Sequence, residues 1–195
     1  GYGQDIEYHA ERIAAIAEEM KIHPGIYRIY TTNCGGYGYV SPLFYGDLLL
    51  YPAALLVAAG CPVAIAFRLF LASIMMGAWL SMYLCVKAVW RRETAVLASY
   101  LYAFSPILLA DIFIRFAVGE ALAFVFLPIV LYGFYRIVLE PKKPKTDWIW
   151  LSVGMSGLIF SHIISTVLTV LMLVLLCLFF VRKIWANKKS FGYLA

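Results

Sequence analysis

The stretch Trp148–Val181, WIWLSVGMSGLIFSHIISTVLTVLMLVLLCLFFV, decides the fold. At 1.5 Å per residue it would extend roughly 50 Å, against a bilayer hydrocarbon core of about 30 Å. It is too long for one crossing, and basic residues stand just outside both of its ends. The chain therefore returns to the side it left. Ser161-His162 is the natural turn, giving two short spans, 148–161 and 163–181.

Working outward, three further apolar stretches precede it, at about Val63–Val86, Thr94–Ala110 and Val118–Val138. The expectation is an all-α, polytopic membrane protein with about five spans. Composition agrees: 64% of the 195 residues are hydrophobic, 14% are charged, and mean hydropathy is +0.85. A soluble domain is nearer 45–50% apolar and about 25% charged. The net charge of +5 and pI of about 9.0 would otherwise suggest nucleic acid. In a membrane protein such an excess marks cytoplasmic loops, and no nucleic-acid partner is expected.

Charge also sets orientation. Lys87, Arg91 and Arg92 follow the first span. Arg136, Lys142, Lys143 and Lys145 follow the third, and Arg182, Lys183, Lys188 and Lys189 follow the last. Five spans put all three clusters on the cytoplasmic side, including the basic tail 184–195. Residues 1–62 and the turns at Asp111–Glu120 and Ser161-His162 then lie outside. Pro42–Gly60 is long enough to span, but Asp47 and Pro52 interrupt it. A sixth span there would not move the basic loops. It would separate Asp5, Glu7, Glu11 and Asp47 from Asp111 and Glu120, so the stretch reads as an interfacial or re-entrant outer helix. The chain opens at Gly1 in a polar segment and reads as a piece of a longer protein, with a span preceding it.

Asp5–Lys21 has the spacing of an amphipathic helix, with Ile6, Ala10, Ile13, Ala17 and Met20 on one stripe. It is too polar to span and is expected to lie along the membrane surface. Cys34-Gly-Gly-Tyr-Gly-Tyr39 reads as a surface loop with interfacial tyrosines; its glycines would also let backbone approach a ligand. The four cysteines show no zinc spacing; Cys34 and Cys61 are free to pair or not.

Ionisable groups at membrane depth are costly and hint at function. Asp5, His9 and Arg12 share a helical face: Asp5 as general base with His9 and Arg12 orienting it or holding an anion, or a solvated first turn whose acids suit the helix dipole. Asp111 and Arg115 are four apart and able to pair. Arg115 is a candidate phosphate ligand with Glu120 beside it, or part of an ion-pair network closing a turn. Gly119 would permit the tight turn before the third span. His162 sits at the turn of two short spans, below the outer surface, where it caps the turn or meets a lipid phosphate. Arg68 reads as snorkelling.

These motifs in this order resemble the GT-C class of membrane glycosyltransferases. More closely, the chain is similar to bacterial polytopic proteins labelled YfhO-like or "6-pyruvoyl-tetrahydropterin synthase-related". The similarity rests on Gly3-Gln-Asp5-Ile-Glu-Tyr-His9-Ala-Glu-Arg12-Ile13, Gly36-Tyr-Gly38-Tyr39 and Pro42-Leu-Phe-Tyr-Gly-Asp47. It continues with Tyr102-Ala-Phe-Ser-Pro106, Arg115-Phe-Ala-Val-Gly119-Glu120 and Ser161-His162. The resemblance implies a partial GT-C-like module whose outer loop, 1–62, carries juxtamembrane helices ahead of a bundle, 63–183. It implies a polyprenyl-phosphate sugar donor within the membrane, Asp5 as catalytic base, and Arg115, His162 and Arg12 on the phosphate. Glu7, Asp47 and Asp111 are supporting candidates. Some GT-C enzymes use a divalent cation; Asp5 and Glu7 offer too few oxygens to define a site. The competing class is a non-catalytic transporter or assembly subunit of envelope polymer synthesis.

Overall fold

The computed structural model describes residues 5–23, 25–31, 33–140 and 146–186. Lys142, Lys143, Lys145, Lys188 and Lys189 lie outside the described residues, as do Gly3 and Gln4. Among the described residues the chain is helical, with an isolated antiparallel bridge joining Tyr30 and Tyr39.

It is a membrane protein by the length and apolarity of its helices. Helix α4, Val63–Lys87, is 25 residues long, and a helical run over Val118–Leu139 has 22. At 1.5 Å per residue, both exceed about 30 Å. Between them, the stretch expected as one straight span is bent by 40° into α5, Arg92–Ala103, and α6, Pro106–Ala110. The cause is Pro106: it lacks an N–H and drives Ser105 into an extended conformation. Counting that bent pair, up to three helical units can cross a membrane.

Helix α7, Val118–Phe134, continues as one wider turn to Leu139 and contains Pro128. A proline at this position leaves the carbonyl of Phe124, four residues back, without its helical partner. The Tyr102 hydroxyl donates to that carbonyl at 2.9 Å. The α5 segment thus repairs the defect that Pro128 makes in α7, as a lipid-embedded backbone requires.

The stretch 148–181 does turn at His162. Helix α8, Trp148–Ser161, and helix α9, Ile163–Phe179, have 14 and 17 residues, about 21 and 26 Å. Contacts show their directions. Gly133 lies against Leu151 and Gly119 against Ser161, so α8 runs antiparallel to α7. Leu173, Leu176, Cys177 and Phe180 then pack on Phe134, Ile137 and Val138, so α9 runs back. A short helix α10, Val181–Ala186, follows. Phe67 stacks on Phe116 at one end of the bundle. Lys87, Arg91, Arg92, Arg136, Arg182 and Lys183 belong to the other.

The α7–α8 seam is unusually close. A Cβ on Gly154 would stand 2.7 Å from the Val130 backbone nitrogen, and one on Gly133 would strike the Leu151 backbone. Gly157 likewise receives the Phe126 ring. Small residues let two apolar helices approach where water exclusion offers no drive.

The N-terminal region forms a cap on one end. Helix α1, Ile6–Ile22, packs mainly on α3, Tyr51–Ala58, and on the start of α4. Its apolar stripe is therefore covered by protein: Ile13, Ile16 and Ala17 are fully buried with Leu50, Ala53 and Phe70. Pro42–Gly60 is broken into α2, Ser41–Phe44, a short 3-10 turn Leu48–Leu50 and α3. No helix within it is long enough to span. Tyr102→Phe should leave the Phe124 carbonyl unpaired and lower stability by about 1–3 kcal/mol, read as thermal unfolding in detergent. Gly154→Leu, which pushes a side chain into the Val130 backbone, should cost at least about 1–3 kcal/mol in the same measurement.

Candidate functional site

Arg12 organises the capped end. Its side chain is 2% exposed, and Nη2 donates to the carbonyls of Tyr45 and Gly46, at 3.0 Å each. The guanidinium also lies over the rings of Tyr8 and Tyr45, at 5.3 and 5.1 Å. A planar, always-charged fork suits both tasks. The segment after α2 is thereby pinned to α1, helped by a hydrogen bond shared between Tyr8 and Ser41 hydroxyls at 3.0 Å. Gly46 in turn presses on Phe160; a Cβ there would be 2.7 Å from its carbonyl oxygen.

Tyr45 then projects into the centre of the cluster. Its ring is 6.1 Å from His9 and 6.4 Å from His162. Its hydroxyl touches Gly119: a Cβ on that glycine would stand 2.7 Å from the Tyr45 oxygen, 3.0 Å from the Ser161 carbonyl and 3.2 Å from His162 Cδ2. Gly119 thus does not make the expected turn. It sits inside α7 and is needed for close approach. The turn is made by Phe116, which is left-handed with φ of 57°. Its N–H and that of Ala117 both reach the Asp111 carbonyl, closing a π turn over Asp111–Arg115. Such wide turns and left-handed non-glycine residues concentrate at functional sites.

This turn presents Arg115. Nη1 donates to Asp111 Oδ1 at 2.8 Å and to Glu120 Oε2 at 2.7 Å. Asp111 is fully buried, whereas Arg115 and Glu120 are 42% and 32% exposed. Among the described residues, Nε and Nη2 of Arg115 have no hydrogen-bond partner and keep three N–H donors. Asp5 comes to the same place: its N–H donates to the Arg115 carbonyl at 3.1 Å, and its exposed carboxylate lies within electrostatic reach of Arg115. His162 lies within reach of Glu120 and Arg115. The His162 Nδ1 accepts from the Ser165 N–H at 3.3 Å and meets the Ser165 hydroxyl at 2.9 Å. In the neutral ring, accepting at Nδ1 places the proton on Nε2, a donor with no partner among the described residues.

The structure thus brings Asp5, Arg115, Glu120, Asp111 and His162 together, with Tyr45 between His9 and His162. It separates others. Arg12 is buried and bonded to carbonyls, so it braces the cluster and presents no open anion site. His9 is 2% exposed, with Nδ1 unpaired among the described residues. Asp47 is buried and accepts from the Tyr30 hydroxyl. Burial, then Asp47, hold that phenol protonated far above its ordinary range. Glu7 is exposed, and Arg68 is exposed on α4. Tyr45 and Ser165 were not singled out from sequence. Tyr45 stands in the Pro42–Asp47 motif, but only the Arg12 clamp reveals where its ring goes. All four cysteines are free.

A cavity of about 50 Å³ adjoins the cluster, lined by Phe44, Tyr45, Gly46 and His162 among others. That is well below the roughly 300 Å³ of a small-molecule pocket. Among the described residues no group of three or more His, Cys, Asp or Glu is placed to hold a metal ion. No family model, curated protein or solved structure matches the chain.

His9 makes the cap acid-sensitive. Burial, reinforced by Arg12, lowers its pKa from 6.5 to about 3. The folded state resists a proton that the unfolded state accepts. Stability is full above pH 6.5 and falls as pH drops from 6.5 toward 3, by at most about 1.4 kcal/mol per pH unit. Thermal unfolding between pH 7 and 5 should show this slope, and His9→Leu should flatten it.

Proposed function

We propose that the chain is the membrane module of a GT-C-type glycosyltransferase. It moves a sugar from a polyprenyl-phosphate donor to a cell-envelope acceptor on the outer face of a bacterial cytoplasmic membrane. The observation that supports this reading is the meeting of Asp5, Arg115, Glu120 and His162 at one end of the bundle, from three separate segments. In this reading the short helices α8 and α9 also cross, making five spans. The Asp5 end faces outward and the basic end faces the cytoplasm.

The chemistry follows from the donors and the base. Asp5 takes the proton from an acceptor hydroxyl. The acceptor oxygen attacks the anomeric carbon, and the bond from that carbon to the phosphate oxygen breaks. The lipid phosphate leaves with the electron pair, and the free N–H groups of Arg115 and Nε2 of His162 stabilise its charge. Glu120 and Asp111 aim the guanidinium. A second reading is favoured by one observation: Arg115 already holds two carboxylates, as an ion-pair closure of a non-catalytic membrane subunit would.

Transfer by the full-length protein from polyprenyl-phosphate sugars separates the two. Asp5→Asn should reduce transfer by about 10²–10⁴-fold with yield and thermal stability unchanged. Wild-type transfer by Asp5→Asn overturns the assignment. Unchanged transfer by Arg115→Gln, with only a lower melting temperature, selects the second reading.

A further inference from the structure

At the end of the bundle opposite Asp5, α4, α5 and α7 leave a groove of about 470 Å³. That volume is within the range that holds a small molecule or a single chain. Its walls are apolar and aromatic, with Val86, Val89 and Trp90 on one side and Leu131 and Tyr132 on the other; Thr94 adds a hydroxyl. Trp90 is 67% exposed, as an interfacial aromatic would be.

Two cations stand in the chain between the lining residues Trp90 and Thr94. Arg91 and Arg92 directly follow Trp90, and Arg91 precedes Thr94 by three residues, about one helical turn. Both arginines are exposed, and neither has an ion-pair partner among the described residues. Among the described residues, two other cations near the groove are engaged. Arg136 pairs with Asp147 and donates to the Tyr132 hydroxyl at 2.9 Å. Lys87 lies 5.4 Å from the Tyr83 ring centroid. Two acids stand near: Glu93, exposed beside the arginines, and Glu140, which accepts from the hydroxyl of the lining residue Tyr135 at 2.7 Å. An apolar slot whose lining residues Trp90 and Thr94 bracket two exposed arginines in the chain is complementary to an amphiphile with an acidic head.

We propose that this groove is a binding site for an anionic membrane phospholipid. One acyl chain lies between Val86 and Leu131, and the phosphate rests on Arg91 and Arg92. The site is independent of the transferase reading and of the Asp5 cluster.

The test uses the full chain in neutral detergent, stripped of lipid, then titrated with phosphatidylglycerol or phosphatidylcholine and read by native mass spectrometry. Phosphatidylglycerol should be retained roughly tenfold over phosphatidylcholine. The double variant Arg91→Gln/Arg92→Gln should lose that preference, and Arg91→Lys/Arg92→Lys should keep most of it. Leu131→Trp, which fills the groove, should weaken both lipids. Met76→Trp, in the separate groove between α4 and α5, should change neither. Equal retention of the two lipids by the wild type overturns the proposal. So does an unchanged preference in the double Gln variant, or an equal effect of Met76→Trp and Leu131→Trp. The arginines are exposed, so the Gln pair decides the matter even if Leu131→Trp fails to fold.

Discussion

The close approach of α7 and α8 is the contact on which the rest of the molecule depends. Gly133, Gly154 and Gly157 let the two helices meet with backbone against backbone or ring. At the end of that seam Gly119 meets Ser161 and His162. Because the helices touch there, the turn between α8 and α9 cannot drift away from the Arg115 turn that precedes α7. A larger residue at Gly119 would meet three groups at once, the Tyr45 hydroxyl among them. One packing constraint thus sets both the bundle and the floor of the candidate site.

The roof is held by different physics. Arg12 is a charge nearly removed from water, and such a charge is tolerable only with dense compensation. It finds two carbonyls and two aromatic faces instead of an acid. These ligands come from α1 and from the segment after α2, so the Nη2 hydrogen bonds and ring contacts of one guanidinium tie the cap together. His9, one turn earlier, remains neutral beside it. Two residues that read as chemistry in a helix pattern therefore act as structure, and the groups left open to a ligand are Asp5, Arg115, Glu120 and His162.

Much of the helix plan was legible. An apolar run too long for one crossing demanded a turn, and His162 is where the chain turns. Asp47 and Pro52 argued against a span at Pro42–Gly60, and the helices there are short. The Asp111–Arg115 spacing of four anticipated their pairing. Other features were hidden because their causes are non-local. Pro106 stands openly in the sequence, yet the apolarity of Thr94–Ala110 is that of a continuous span and does not show the bend. Gly119 has the composition of a turn residue, whereas Phe116 turns the chain and Gly119 makes room. Helix α1 carried a stripe suited equally to lipid or to protein, and α3 and α4 are what cover it.

Sequence by itself determined the apolar segments, their lengths and the gathering of cations into three clusters, because hydropathy and charge are local properties of the chain. Tertiary structure decided which polar side chains stay available. Asp5, His9 and Arg12 share one helix face in sequence, but packing buried two and left one exposed. The reason is that burial depends on what covers a residue, and Arg12 and His9 are covered by Tyr45, thirty-odd positions away, on the segment that follows α2.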